Sequence, residues 1–460
     1  MKKLITLTMA LSCLTELHAQ DIHNTVCEGN MERLEAMLDT TEIQVVDRRG
    51  RSLLHWAVAC KQMDILRYLV DQGIDINNED NAGDPPIYVA VLFNRDEYLD
   101  TLIARQKDNT WVTNYGTMLL QKAILNRNLR STQRILAEGV GINSLNERGS
   151  SPLEIAQRSG AEEVADWLIA AGADKSLVRK FELKGAYMGQ EDPGLTAQVF
   201  APNFISTEEF EYGSVFNKAG TEFYYGVSTS RNSETRFTQL VDGIWTPPVT
   251  ILSHEKYGYN DPFLSNDEQR LYFISKQPMD GEGEPKDHDI WYVERQPDGW
   301  SEPVNAGSNI NTAGNEYYIS FTQDGTMYFS SNGQDTTKTE NPDHDIYYSK
   351  AIDGVFQPAV NLGDSINTEH YEGDVFVAPD ESYLVFCATR PEGMGRGDLY
   401  VSFRKEDGSW TQGKNMGEGV NTDGHELCPY VTPDGKYLFY TRNREIYWIS
   451  AEVIANMRSD

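Results

Sequence analysis

The sequence predicts a multidomain fold in which a solenoid of paired α-helices precedes an all-β region of repeated four-stranded sheets. Two recurrence lengths in the 460 residues support this division. Four glycines lie 33 residues apart, a period typical of stacked helical hairpins: Gly50, Gly83, Gly116 and Gly149. Later, four aromatic residues recur at intervals of 55, 56 and 54 residues among short alternating strands: Trp245, Trp300, Phe356 and Trp410.

The composition disfavours two classes of partner. The chain carries 70 acidic and 40 basic residues, which gives a formal net charge of −30. A surface this acidic repels a phosphate backbone or an anionic lipid surface, so we expect no nucleic-acid binding and no binding to membrane surfaces. Cations and basic protein surfaces are the partners that electrostatics favours.

Residues 1–19 are typical of an export signal. Lys2 and Lys3 precede a short apolar stretch from Leu4 to Leu14, and a site of small residues ends at Ala19. The apolar stretch is too short to span a bilayer, and no longer one follows it. We therefore expect a periplasmic or secreted protein, with lipoprotein anchoring at Cys13 as the less favoured alternative.

A short motif accompanies the glycine period in residues 20–176. The segment Ser52-Leu53-Leu54-His55-Trp56-Ala57 resembles the ankyrin signature T-P-L-H-x-A, and residues 85–90 and 151–156 occupy the same columns. The resemblance to ankyrin repeats implies about five units, with a degenerate first one, a weak third one and a concave protein-binding face. In this motif His55 is expected to hydrogen-bond neighbouring backbone.

The hairpin tips and inner helices of the solenoid form the predicted binding face. Three tips carry Asp or Asn before a glycine, as a tight turn with positive φ requires. The candidate contact residues are Arg48, Arg49, Arg51, Trp56, Tyr88 and Arg148. For Trp56, packing between repeats is the alternative role.

Four cysteines follow the predicted signal: Cys27, Cys60, Cys387 and Cys428. So few thiols in a chain of this length do not form a disulfide scaffold. Cys27 and Cys60 fall at similar points of neighbouring repeats, which we expect to stack too far apart for easy bridging. All four are therefore predicted to be buried thiols.

The longer repeat fills residues 197–452, after a linker over 177–196. Asp289-Ile290-Trp291-Tyr292 recurs in similar form at 345–348, 398–401 and 445–448. Each copy holds about four strands in about 50 residues, the size of one propeller blade. The region, best in residues 389–400, resembles the TolB-like, WD40-like propeller repeats of exported bacterial proteins.

The number of blades is obtained by counting the repeated units, each of which begins with an acidic residue and contains a turn. Five such units begin near Glu211, Asp261, Glu316, Glu372 and Glu426. Residues 200–204 match an outer strand, and we expect them to pair with the last blade and close the ring, which removes open sheet edges. The sequence therefore predicts an all-β propeller of five blades; six blades, common for this family, is the alternative.

The acidic residues that begin these units are the candidate site of the propeller. They open the innermost strands, so we expect them at one mouth of the central channel, near acidic loops that include Asp280, Asp335 and Glu340. Such a ring could hold Ca²⁺, which prefers oxygen ligands, or a cationic ligand. The alternative is that the repeated carboxylates cap backbone N–H groups at the connections between blades.

No catalytic residues are predicted, because the sequence has no Gly-x-Ser-x-Gly elbow, phosphate loop or His-Glu-x-x-His motif. The sequence therefore predicts an exported, non-enzymatic binding or scaffold protein with a protein partner. A propeller-based carbohydrate-active or metal-dependent enzyme, centred on the acidic mouth, is one alternative. A structural spacer in an envelope assembly is another.

Overall fold

A computed structural model describes residues 21–229, 232–279, 281–334 and 343–458. The predicted export signal, including Cys13, lies outside these residues. The chain divides after Arg179 into two compact units, so the predicted linker over 177–196 is split, and Lys180 onward belongs to the second unit. In the described part of the chain, no helix is both long and apolar enough to cross a membrane.

The first unit consists of five consecutive pairs of helices. They are α1 (21–28), α2 (Met31–Leu38), α3 (Leu53–Ala59), α4 (Met63–Asp71), α5 (Pro86–Leu92), α6 (Asp96–Ala104), α7 (Thr110–Leu125), α8 (Leu129–Ala137), α9 (Pro152–Arg158) and α10 (Glu162–Ala170). The alanines of one repeat column are each 0% exposed: Ala57, Ala90, Ala123 and Ala156. Four of the five repeats bury this column against their neighbours, and Ile22 and Val26 extend the buried core into the first repeat, so the core runs continuously through the stack.

His55 joins one repeat to the next. Its ring Nδ1 accepts a hydrogen bond from the Ser52 N–H at 3.0 Å. Its Nε2 lies 2.9 Å from the carbonyl oxygen of Asp84, in the following repeat. The ring is buried, which lowers the pKa of His55. The predicted structural role of this histidine is confirmed.

The repeat formed by α7 and α8, which is the third of the four units spaced by glycines and the fourth of the five helix pairs, departs from the period. Gly50, Gly83 and Gly149 adopt positive φ in turns, but Gly116 lies inside α7, a helix of 16 residues. A Cβ atom at Gly116 would lie 2.7 Å from Cγ2 of Val140. The glycine at this position therefore serves close packing of helix against loop, and its shared spacing does not indicate a shared turn.

Cys27 and Cys60 form a disulfide, so the prediction of buried thiols is wrong for this pair. Their Cα atoms lie 5.1 Å apart, within the range that a disulfide requires. The ends of the two helices converge here, as the hydrogen bond of 2.9 Å from Gln62 Nε2 to the Cys27 carbonyl oxygen shows. The average spacing of repeats overestimates the separation of such helix ends. Cys387 and Cys428 are buried free thiols, as predicted.

The second unit is a five-bladed propeller, as predicted. Its strands are β1 (Gln198–Val199), β2 (Phe210–Phe216), β3 (Glu222–Ser228), β4 (Ser233–Val241), β5 (Ile244–Trp245), β6 (Val249–Leu252), β7 (Asn260–Leu264), β8 (Arg270–Ser275), β9 (Asp289–Gln296), β10 (Gly299–Trp300), β11 (Val304–Asn305), β12 (Glu316–Phe321), β13 (Met327–Ser331), β14 (Asp345–Ser349), β15 (Ala351–Ile352), β16 (Val355–Phe356), β17 (Val360–Asn361), β18 (Glu372–Val377), β19 (Tyr383–Ala388), β20 (Asp398–Phe403), β21 (Lys414–Asn415), β22 (Glu426–Val431), β23 (Tyr437–Arg442) and β24 (Glu445–Ser450). A last helix, α11, covers Glu452–Arg458.

Each blade is an antiparallel sheet whose first strand lies nearest the axis. In chain order the blades are β2-β3-β4-β6, β7-β8-β9-β11, β12-β13-β14-β17, β18-β19-β20-β21 and β22-β23-β24-β1. The last blade takes its outer strand from the start of the propeller, because Gln198 pairs with Trp448 and Val199 with Tyr447. The Phe200 N–H then donates to the Ile446 carbonyl at 2.8 Å. The expected closure of the ring is confirmed.

The disulfide gives the first prediction. Replacing Cys60 by serine should lower the free energy of unfolding of the helical unit by about 2–4 kcal/mol, because the unfolded chain loses a cross-link. Urea unfolding of the full chain, followed by far-UV circular dichroism, measures this change. Adding a reductant should destabilise the parent protein similarly and leave Cys60→Ser unaffected. Two titratable thiols at Cys27 and Cys60 in protein purified under oxidising conditions would contradict the pairing.

Candidate functional site

One groove on the helical unit gathers most of the residues predicted for its binding face. The cavity measures about 480 Å³ and is lined by four of them: Arg49, Arg51, Trp56 and Tyr88. Phe93, at the end of α5, also lines it and is 49% exposed. Sequence reasoning missed Phe93 because it follows the repeat motif and occupies no repeated column.

The carboxylate of Asp47 holds two groove residues in place. Arg51 Nη2 lies 2.7 Å from Asp47 Oδ2, and Trp56 Nε1 donates to the same oxygen at 3.1 Å. The guanidinium carbon of Arg51 lies 4.6 Å from the centre of the Trp56 ring. Hydrogen bonds from Arg51 help to lower the pKa of Asp47, although burial opposes them. The groove is therefore preorganised, with the tryptophan already oriented.

The other two predicted residues of this face lie outside the groove. Arg48 is exposed at a hairpin tip, where its carbonyl accepts a hydrogen bond of 3.1 Å from Asn81 Nδ2. Arg148 belongs to a later repeat, and its carbonyl accepts from Arg179 Nη1 at 3.1 Å. The Arg48 carbonyl thus joins two successive hairpins, and the Arg148 carbonyl joins the last hairpin to the segment that follows α10.

In the propeller, the repeated glutamates bind their own connecting loops. Glu316, Glu372 and Glu426 are each 0% exposed. In each, one carboxylate oxygen accepts the N–H of a threonine four residues earlier, at 3.0, 2.8 and 3.2 Å. The other oxygen accepts the hydroxyl of that threonine at 2.7, 2.7 and 2.6 Å. In Glu211 the Thr207 hydroxyl donates in the same way. This geometry agrees with the alternative that the repeated carboxylates cap backbone N–H groups at the connections between blades.

In the last three blades an asparagine precedes this threonine and binds the backbone of the preceding blade. Asn311 Oδ1 accepts the Ile290 N–H at 2.8 Å while its Nδ2 donates to the Ile290 carbonyl at 2.9 Å. Asn367 and Asn421 make the same pair of bonds to Ile346 and Leu399. The Asn-Thr…Glu element thus joins two blades by satisfying buried backbone groups.

The repeated glutamates Glu211, Glu316, Glu372 and Glu426 occupy equivalent positions, here called the glutamate column. Asp261 does not occupy this position in the second blade, and its predicted assignment there is wrong. The N–H of each column residue donates to the preceding blade, as Glu316 does to the His288 carbonyl at 2.7 Å. In the second blade Tyr259 makes this bond, to the Ser233 carbonyl at 2.9 Å. Asp261 comes two residues later. The second blade has Tyr259 in place of a glutamate, so the comparison of repeats in the sequence assigned the nearest acidic residue, Asp261, to this position.

A β-bulge places Asp261 and its counterparts at the propeller axis. Every innermost strand contains a register shift, and the extra residue adopts positive φ: Gly213, Asp261, Tyr318, Asp374 and Cys428. Two of these residues, from non-adjacent blades, contact each other: Cys428 Sγ lies 3.6 Å from Asp261 Oδ1. The Tyr318 hydroxyl donates to the carbonyl of Pro429, the neighbour of Cys428, at 3.0 Å. Each of these bulge residues follows the column residue of its blade by two positions. This constant spacing could have predicted that Asp374 and Cys428 lie at the axis.

Two carboxylates share this part of the channel. Asp261 is 8% exposed, and Asp374 accepts the Cys428 N–H at 3.3 Å. Burial, together with the neighbouring Asp374 carboxylate, raises the pKa of Asp261 to about 7. Burial raises the pKa of Asp374 to about 6. Neither carboxyl group forms an ion pair in the described part of the chain.

Aromatic rings surround the two ends of this channel segment. On the side of the glutamate column, the Tyr317 ring lies 4.8 Å from His288 and 5.2 Å from His344, between ring centres. Burial and the two aspartates raise the pKa of Tyr317 to about 12. At the opposite end, Tyr430 lies 6.0 Å from Phe263 and 5.8 Å from Phe376. The carboxylates therefore lie between two aromatic layers.

The acidic loops at the mouth are only partly described. Asp280, Asp335 and Glu340 lie outside the described residues. Glu284 pairs with Lys256 at 2.9 Å. Among the residues that the structure describes, no group of three or more His, Cys, Asp or Glu side chains has an arrangement that could hold a metal ion.

Comparison with known proteins identifies the repeats of the helical unit. A family model for ankyrin repeats in three copies matches residues 22–114 and 87–179. The putative ankyrin repeat protein YahD of Escherichia coli is 24% identical in an alignment of 186 positions that covers 32% of this chain and 92% of that protein. The first unit therefore consists of ankyrin repeats.

Two longer relatives show the same limited coverage of this chain. The NF-kappa-B p105 subunit of Gallus gallus is 31% identical over 36% of this chain and 18% of that protein. The ankyrin repeat protein nuc-2 of Neurospora crassa is 25% identical over 32% of this chain and 14% of that protein. The chain thus spans less than a fifth of the length of either relative.

The channel carboxylates give a prediction about pH. A carboxyl group whose pKa is raised by folding binds more protons in the native state, so its contribution to stability is lost as pH rises through the folded value. With folded pKa values of about 7 and about 6, the loss should fall between about pH 4 and pH 7. Asp261→Asn should therefore raise the melting temperature at pH 8 and change it little at pH 4.

Differential scanning calorimetry of both proteins at the two pH values tests this expectation. We expect a gain of roughly 1–3 kcal/mol at pH 8 from removing a buried charge. Glu255→Gln is the matched control, because Glu255 is exposed. A melting temperature for Asp261→Asn that is lower than that of the parent at pH 8 would contradict the assignment of a destabilised carboxylate.

Proposed function

We propose that this protein is a non-enzymatic binding protein whose ankyrin groove receives a protein partner. The observation that carries the proposal is the preformed groove between neighbouring repeats, where Trp56, Tyr88 and the half-exposed Phe93 meet. Aromatic residues and arginine are enriched in protein interfaces and dominate their binding energy. Arg49 and Arg51 at the same groove complete this combination.

The proposal includes export to the periplasm or the cell exterior as a scaffold. The lysines and apolar stretch of residues 1–19 support it, as does the resemblance of residues 197–452 to TolB-like propeller repeats of exported bacterial proteins. The disulfide between Cys27 and Cys60 agrees with an oxidising compartment. A propeller offers the scaffold a second rigid surface.

No observation among the described residues favours the carbohydrate-active or metal-dependent alternative. The buried glutamates of the column are engaged by threonine N–H and hydroxyl groups, which leaves Asp261 and Asp374 as the acidic groups of the channel. The proposed function requires no cofactor. The binding of Ca²⁺ or of another cationic ligand at the mouth stays a prediction.

The groove gives a prediction about partner capture. The full chain, tagged and immobilised, should retain a protein from the exported fraction of its native cells, and Tyr88→Ala/Phe93→Ala should lose at least about nine-tenths of it, because truncating interface hot spots costs about 2 kcal/mol or more. Quantitative mass spectrometry of the eluates measures the loss.

The control for this experiment is Leu145→Ala, which removes an exposed apolar side chain elsewhere on the same unit, 51% exposed. It should retain the partner at the parent level, and circular dichroism should show equal helicity in all three proteins. Equal capture by the groove variant and the control would show that the groove is not the contact surface.

Export gives a separate prediction. If residues 1–19 are removed at the predicted site, N-terminal sequencing of the protein isolated from its native envelope or medium should begin at Gln20. Ala19→Arg should block processing, because the site requires small residues. A cytoplasmic protein that retains Lys2 and Lys3 would overturn the proposed location without affecting the proposal for the groove.

A further inference from the structure

One cleft between blades is filled by the chain itself. Trp245, on the short strand β5 that pairs with the end of β4, donates its backbone N–H to the Leu183 carbonyl at 2.9 Å. Its indole Nε1 donates to the Gly185 carbonyl at 2.8 Å. Lys184, between them, forms a β-bridge with Ile244. The segment before the propeller thus lies along the first blade as a short added strand.

The same segment inserts a tyrosine between the last and the first blades. The Tyr187 hydroxyl donates to Asp434 Oδ1 at 2.8 Å. The centre of its ring lies 4.7 Å from that of Tyr437, 6.0 Å from that of Trp448 and 5.5 Å from that of Phe216. Aromatic contacts of this kind add to the apolar area that the insertion buries.

The cleft between the third and fourth blades has residues equivalent to those that contact the inserted segment. Trp410 occupies the column of Trp245, and Tyr348 on β14 occupies that of Trp448 on β24. Asp324 corresponds to Asp434, since both accept a hydroxyl from the threonine two residues earlier, at 2.5 and 2.8 Å. All three residues line a cavity of about 330 Å³.

The indole of Trp410 lacks the partner that Trp245 has. Trp410 is 4% exposed, and its Nε1 donates no hydrogen bond in the described structure. A buried donor without an acceptor is unfavourable, so an added acceptor at this point stabilises a complex. The guanidinium of Arg404 covers the ring at 4.7 Å, while its contact with Glu381 is long, at 3.9 Å. A long, partly exposed contact of this kind is readily displaced.

Two other clefts are closed by internal contacts. Between the first and second blades, Arg295 lies over Trp300 and donates to Glu222 at 2.8 Å and to the Tyr224 hydroxyl at 3.0 Å. Near the fourth and fifth blades, Arg458 of α11 donates to the Ser382 carbonyl at 3.1 Å. The cleft at Trp410 is bridged at one point, where the Tyr328 hydroxyl donates to Glu381 at 2.6 Å, but it keeps a cavity beside this contact and an unpartnered indole donor.

We propose that this cleft binds an extended peptide segment that carries a tyrosine. A backbone carbonyl of the peptide accepts the Trp410 indole N–H, as the Gly185 carbonyl does for Trp245. The tyrosine ring packs on Tyr348, and its hydroxyl donates to Asp324, whose hydrogen bonds keep its pKa low and the carboxylate charged. The site is separate from the ankyrin groove, so it goes beyond the proposed function and does not depend on it.

A peptide with the sequence of residues 181–190 is the probe, because this segment fills the corresponding cleft. Fluorescence anisotropy of the labelled peptide with the full chain should show saturable binding. Trp410→Phe should weaken it about tenfold or more, since the variant keeps an aromatic ring and removes the donor. Phenylalanine already occupies this column at Phe356, so the variant is expected to fold, and its melting temperature checks this.

Two matched controls separate this cleft from other sites. Trp300→Phe, which makes the same change in a closed cleft, should leave the dissociation constant unchanged. A peptide with alanine in place of its tyrosine should bind about tenfold more weakly or worse. Tyr88→Ala/Phe93→Ala, the ankyrin groove variant, should bind the probe like the parent.

Three results would overturn the proposal. The first is no saturable binding of the probe up to millimolar concentration. The second is equal affinity for Trp410→Phe and the parent, which would mean that the probe competes with the chain's own segment at Trp245 or binds elsewhere. The third is loss of binding in the ankyrin groove variant alone.

Discussion

The propeller depends on one requirement, which is that the innermost strand of each blade must be joined to the blade before it. The N–H of the column residue donates to a carbonyl of the preceding blade in all five cases: Glu211 to Arg444, Tyr259 to Ser233, Glu316 to His288, Glu372 to His344 and Glu426 to Gly397. The Asn-Thr…Glu elements complete these junctions. Since the backbone groups are buried, leaving one unpaired is costly. The repeated polar residues therefore have a structural role, which is to join neighbouring blades of the propeller.

Periodicity predicted what repeats and failed where a repeat is broken. The buried columns of the solenoid, the five blades and the closing strand follow from spacing, because each repeat meets the same packing problem. The role of His55 follows from the resemblance to the ankyrin motif. Asp261 was misplaced because its blade has Tyr259 in the column. Gly116 kept the spacing but lost the turn. The disulfide of Cys27 depends on the convergence of two helix ends, a property of three-dimensional packing.

The candidate sites lie at departures from the repeats. Phe93 leaves an apolar ring exposed beside Trp56, and Trp410 leaves an indole donor unpaired where Trp245 has a partner. Asp261 and Asp374 put charge at bulges where other blades have glycine, tyrosine or cysteine. In a repeat protein the contacts common to all repeats maintain the fold. A residue that differs from its equivalents in the other repeats is therefore a better candidate for ligand binding.

The closing strand has a consequence for synthesis. Gln198 pairs with Trp448, 250 positions later, so the ring cannot be completed until nearly the whole propeller has emerged. Contacts this distant in sequence slow folding, whereas the ankyrin unit is assembled from neighbours and can form as it leaves the ribosome or a translocation pore. Until β24 arrives, β1 stays unpaired and open to association with other chains. Chaperone protection is therefore most needed for the nascent second unit.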